Sequence, residues 1–125
     1  MAESSSKLHE KGLSPEVVDR HRAIVSLMEE LEAVDWYDQR VEAATNPELR
    51  AVLAHNRDEE KEHAAMMLEW LRRNDAGFAA HLRTYLYAKG AIVEVEEGET
   101  QGKGKAATNG AASDGSLGIG SLKGT

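Results

Sequence analysis

Cysteine is absent from the 125 residues. Its absence excludes a disulfide framework, a thiolate nucleophile and Cys-ligated zinc or iron–sulfur sites. Any metal must therefore be held by His and carboxylates. Positive charge is scarce: 15 Lys and Arg face 22 Asp and Glu, giving a net charge of −7. That balance argues against a nucleic-acid-binding surface. No apolar run approaches the roughly 18 residues of a membrane span. The start, Met1-Ala-Glu-Ser-Ser-Ser, lacks the basic and apolar regions of a signal peptide. The expected location is the cytoplasm, with no membrane and no nucleic acid among the partners.

What is present is unevenly distributed. The few aromatics (two Trp, three Tyr and one Phe) all lie between Trp36 and Tyr87, and eight of the eleven glycines lie from Gly98 onward. Residues 1–13 are polar and expected to be disordered. Residues 14–90 carry the apolar periodicity of a folded domain. Residues 91–125, rich in Gly, Ala, Glu and Ser, bury too little surface to offset their ordering entropy. A flexible linker is expected over 91–114, ahead of a terminal segment, 115–125.

The middle of the chain reads as all-α. Ser14-Pro15-Glu16 combines an N-cap residue, Pro at the first helical position and an acid in the first turn. Apolar residues then recur at helical spacing through Ile24, Leu27, Leu31, Val34 and Val41. Asn46-Pro47-Glu48 repeats the start signal, and Leu49, Leu53, Met67, Trp70 and Leu71 continue it. Asp75 is placed to cap a shorter third helix through Phe78, Leu82 and Leu86, with Gly90 as its stop. The first two helices, about 28 residues and roughly 42 Å each, are joined by a few residues around Ala44–Asn46, which forces an antiparallel hairpin. Such a hairpin with one short helix buries too little to be comfortable alone, so an oligomer is expected.

Polar residues occupy the apolar face. At about 100° per residue, Leu49, Leu53, Met67 and Leu71 fall within roughly 20° of Glu60, and His63 lies one turn further on. On the first helix Glu30 lies among Ala23, Leu27, Val34 and Val41. An unpaired buried carboxylate is costly, and no Lys or Arg shares either stripe nearby; a divalent cation satisfies both acids. In a hairpin centred near Thr45, Glu30 and Glu60 stand at equal height. One chain thus supplies a Glu from one helix and Glu60-x-x-His63 from the other, half of the set used by two-metal carboxylate sites in four-helix bundles. A two-fold dimer completes the bundle and the site. His with carboxylates suits iron, manganese or zinc, and carboxylate-bridged pairs suit redox iron best. Tyr37 lies near Glu30 as a candidate donor to its carboxylate. Glu29, Glu32 and Trp36 line an adjacent face, where carboxylates could hold a hydrated cation on its way inward; a solvated acidic face is the alternative. In the tail, Leu117, Ile119 and Leu122 are isolated apolar residues, spaced like an extended peptide that docks into pockets of a partner.

Two stretches, Met28-Glu-Glu-Leu-Glu-Ala-Val-Asp-Trp-Tyr-Asp-Gln-Arg40 and His55-Asn-Arg-Asp-Glu-Glu-Lys-Glu-His-Ala-Ala65, followed by Leu68-Glu-Trp-Leu-Arg-Arg73, resemble the encapsulated ferritins. The ending Gly115-Ser-Leu-Gly-Ile-Gly-Ser-Leu-Lys-Gly124 resembles the targeting peptide that loads such cargo into encapsulin shells. The resemblance implies a ferritin-like hairpin domain over 14–90, homodimers within a ring-shaped homodecamer, and a di-iron ferroxidase centre at a dimer interface. It implies two irons per interface, held by Glu30, Glu60 and His63 of each of two chains. Glu29, Glu32 and Trp36 would form a secondary metal site on the approach path, and Tyr37 would neighbour the centre. It further implies that Fe(II) and oxygen are the substrates, and that the protein works inside an encapsulin nanocompartment, held through residues 115–125 by the shell protein. Two other readings stay open: a catalytically silent cargo or scaffold protein, and a di-manganese or zinc protein.

Overall fold

A computed structural model describes residues 7–99. Leu117, Ile119 and Leu122, expected to dock into a partner, and the part of the expected linker beyond residue 99 lie outside the described residues. Among the described residues there is no strand. The helices are α1 (Pro15–Ala43), α2 (Pro47–Asn74), α3 (Ala76–Tyr85) and a fourth stretch, α4, over 92–99. Among the described residues no helix is long and apolar enough to cross a membrane.

Each helix starts where the local chemistry dictates. Ser14 and Asn46 hold extended backbone, and each side chain accepts from an amide of the first turn, Val17 N at 3.2 Å and Leu49 N at 2.9 Å. In both cases Pro follows at a position whose amide has no helical partner. The Asp75 carboxylate accepts from Phe78 N at 3.0 Å and opens α3. Only Ala44, Thr45 and Asn46 separate α1 from α2. The two helices turn back on each other as an antiparallel pair.

The ends of the sequence reading need correction. Gly90 does not stop α3. The helix closes at Tyr85, Ala88 N bonds to Tyr85 O, and Tyr87 takes a positive φ of 64° ahead of Gly90 at 92°. Residues 92–99 are helical rather than part of a flexible linker. Glu-rich sequence is a good helix former when its first amides find acceptors, and Val95 N bonds to Ala91 O at 3.0 Å.

The chain divides into two units, Met1–Ala79 and Ala80–Thr125. In the first, Ala23, Ala64 and Leu71 are the buried apolar residues, and Leu71 is wholly inaccessible. Much of the remaining apolar surface is uncovered. Val17, Ile24 and Leu31 recur every seventh residue along α1 and are exposed, as are Leu49, Val52, Met66 and Trp70 on α2. The pattern is that of a bundle with half its helices.

Candidate metal centre

Glu30 enters the centre from α1, and Glu60 and His63 enter it from successive turns of α2. One ligand atom from each of the three lies within 4.8 Å of the others, the only such His and acid grouping among the described residues. His63 Nδ1 is 3.2 Å from Glu60 Oε1 and 3.7 Å from Glu30 Oε1. The two carboxylates approach from opposite helices. Their side chains are 27% and 26% exposed, whereas His63 is 48% exposed. The two carboxylates are thus half-buried, and His63 is exposed.

Its electrostatics follow from two acids and an imidazole in close approach. The hydrogen bond to Glu60 pushes the Glu30 carboxyl above its usual range, with burial and the Glu60 charge acting in the same direction. Glu60 is held below its usual range by the hydrogen bonds from Glu30 and His63. His63 is raised, first by its hydrogen bond to Glu60 and then by the charge of Glu30. One proton between two carboxylates is the expected compromise for like charges at contact distance. Among the described residues no Lys or Arg pairs with Glu30 or Glu60. Two carboxylates and an imidazole, convergent and without a resident cation, fit a divalent first-row metal.

The other residues singled out in the sequence stand outside this grouping. Tyr37 is half-buried, and the Arg40 guanidinium lies 5.4 Å from its ring centroid. The partners of the Glu30 carboxylate are Glu60 and His63. Glu29 is exposed, Glu32 half-buried, and Trp36 half-exposed with Arg40 over its ring at 5.7 Å. The charge of Glu29, next to Glu30 in the chain, is the smallest of the influences raising Glu30.

Sequence reasoning missed the polar links that tie α1 to α2 outside the centre. Arg57 Nη1 donates to Asp38 Oδ1 at 3.0 Å across the helices, while its Nε donates to the adjacent Asp58 at 3.1 Å. Nearer the turn, Arg50 Nε donates to Val41 O at 3.0 Å. The available signal was Arg57 itself, at the edge of the α2 stripe that packs on α1, where a cation needs an acceptor.

A profile of the EncFtn-like family matches residues 5–89. An encapsulated ferritin-like protein of Rhodospirillum rubrum is 66% identical over 99% of this chain and 93% of its own length. A ferritin-like protein of Thermotoga maritima is 58% identical over 65% of this chain and 70% of its own length. An encapsulin nanocompartment cargo protein of Myxococcus xanthus, EncC, is 41% identical over 43% of this chain and 42% of its own. Among solved structures, protein ne0167 of Nitrosomonas europaea superposes with a TM-score of 0.66 at 59% identity, covering 68% of this chain and 96% of that one.

Proposed function

The chain belongs to the EncFtn-like family, and on that premise we propose that it is a ferroxidase which works as encapsulin cargo. The observation that carries this reading is the convergence of Glu30, Glu60 and His63 from two helices, with their ligand atoms within 4.8 Å. Two copies of that set, brought together across a two-fold dimer, make the donor set of a two-iron site. The exposed apolar residues on α1 and α2 supply the surface such a dimer would cover. Bound iron supplies the one-electron chemistry that reduces oxygen.

The residues of this chain bind, orient and exchange protons. His63 Nδ1 faces the carboxylates and can bind a metal only when it carries no proton, so binding requires that proton to leave. Glu30 gives up the proton it shares with Glu60 for the same reason. With Glu60 and His63, Glu30 would hold the metal, its carboxylate supplying negative charge that offsets the charge of the bound cations. Exposed Glu29 and half-buried Glu32, beside Trp36, form the acidic approach to the centre. Tyr37 borders it. The Rhodospirillum and Myxococcus relatives are named as an encapsulated protein and as cargo, which supports a place inside an encapsulin shell. Residues 115–125 would be the docking peptide, with Leu117, Ile119 and Leu122 filling pockets of the shell.

The test is Fe(II) oxidation with simultaneous oxygen consumption. Glu30→Ala, Glu60→Ala and His63→Ala should each abolish or strongly reduce it, because two-fold symmetry removes two ligands per substitution. Wild-type rates in all three variants would refute the assignment. Absence of oxygen consumption by the unaltered protein, with metal bound, would favour the scaffold reading or a zinc site.

A further inference from the structure

Two observations bear on how the metal ligands are held. The first is that Glu30 stands alone on α1, while Glu60 and His63 both stand on α2, so their separation depends on the axial register of the helices. The second is that two hydrogen bonds link α1 to α2 on the turn side of the centre. Arg50 to Val41 O is close to the connection, where the short loop already fixes the register. Arg57 to Asp38 lies further along, one helical turn before Glu60. Resting on the metal-binding reading above, the geometry points to Asp38 and Arg57 as positioning residues that fix the register between Glu30 and the Glu60–His63 pair.

The side chains suit that role. Arg57 is 22% exposed, the lowest exposure among the Arg and Lys in ion pairs of the described residues. Its fork is used twice: Nη1 holds Asp38 on the opposite helix, and Nε holds Asp58 on its own. Two fixed donors in one plane orient the guanidinium, which a single ammonium cannot do. Asp38 is the more exposed partner, so the pair contributes little to overall stability. Loss of the pair should therefore loosen the ligand geometry without unfolding the hairpin. Outer residues that orient metal ligands commonly set affinity in this way.

The experiment uses the full chain and Co(II), whose visible absorption reports ligand geometry. Asp38→Asn and Arg57→Gln should each weaken Co(II) affinity about tenfold, the low end for outer-shell substitutions, and shift the visible bands. The double variant should be no weaker than either single one, because both remove the same interaction. Helix content and assembly mass should stay unchanged. Affinities within about twofold of wild type, or additive losses, overturn the proposal. Recovery of affinity in the double variant also overturns it, since Asp38 would then be holding a competing cation away from Glu60. If either neutral variant loses helix content, Arg57→Lys decides: reduced affinity upholds the role, and unaltered affinity removes it. Failure of the unaltered protein to bind Co(II) overturns the metal-site reading together with this one. Normal binding with unaffected variants overturns the positioning role alone.

Discussion

Glu30 and Glu60 lie on different helices, fifteen residues to either side of Thr45, and a carboxylate oxygen of each lies within 4.8 Å of the other. A three-residue connection leaves the helices little freedom to slide, so equal distance from the turn becomes equal height in the hairpin. The contact joins two acids across two helices and recruits His63 from the next turn of α2. An arrangement that brings like charges together has a reason to exist when a cation joins them.

Metal should stabilise the assembled form. If ligands from two chains meet at each centre, metal binds the associated state preferentially and shifts the equilibrium toward it. Chelation at low protein concentration should move mass toward smaller species, and added Fe(II) under anaerobic conditions should restore it. Mass measurement with metal counting checks this; a mass indifferent to metal when dilute would count against shared ligands.

Acid should weaken metal binding from above pH 6.5. The folded pKa of His63 is raised from its ordinary 6.5, so it is protonated over part of the range where a free His is neutral. Glu30 is raised as well, so its proton also persists to higher pH. Metal must displace both. Affinity should therefore fall as pH drops through the raised His63 value, and protons should be released on binding near neutrality. The metal-free hairpin runs the other way: the His63 contact favours folding below about pH 6.5 and loses that effect as pH rises through the folded value. Calorimetry in buffers of different ionisation enthalpy counts the released protons; no release at neutral pH would contradict the shift.

Leu71→Ala should be the costly substitution in the hairpin interior. Leu71 has no accessible surface, and truncating a fully buried Leu costs about 2–5 kcal/mol. Urea unfolding of metal-free protein should show that loss as a lower midpoint. A shift corresponding to less than about 1 kcal/mol, well under the usual range, would mean that the surroundings collapse onto the site.

Removing everything after Gly115 should separate location from chemistry. Burial of Leu117, Ile119 and Leu122 offers roughly 1.5–3 kcal/mol per side chain, much of it offset by ordering the peptide. An assembly displaying many tails would recover affinity through multivalency. The truncated protein should fail to co-purify with encapsulin while its Fe(II) oxidation continues. Normal shell occupancy, or loss of oxidation, would contradict this division of labour.

The hairpin was legible because its signals are local. Ser14, Asn46 and Asp75 each announce a helix start through a side chain that reaches an amide three residues on. Glu30, Glu60 and His63 were legible because a carboxylate within an apolar stripe is a conflict that the sequence displays openly. The end of α3 was not. Gly90 does adopt a positive φ, but Tyr87 adopts one first, and sequence gives little warning that a non-glycine will accept the left-handed region. Helix α4 was hidden by composition, because the glycines that make the tail look flexible begin at Gly98, after most of it. The Asp38–Arg57 pair was illegible because it depends on rotamers meeting across helices, and many acids could have answered that Arg.

If a second copy of the chain covers the exposed apolar residues on α1 and α2, the protein's lifetime would depend on its abundance. A solitary hairpin with Leu71 as the wholly buried side chain among its described residues would open readily and offer proteases a substrate. Partnered hairpins offer them much less. Scarce chains would then be cleared before they meet, and abundant ones would persist. Turnover in the cell would act as a threshold on synthesis, set by the same surface that closes the bundle.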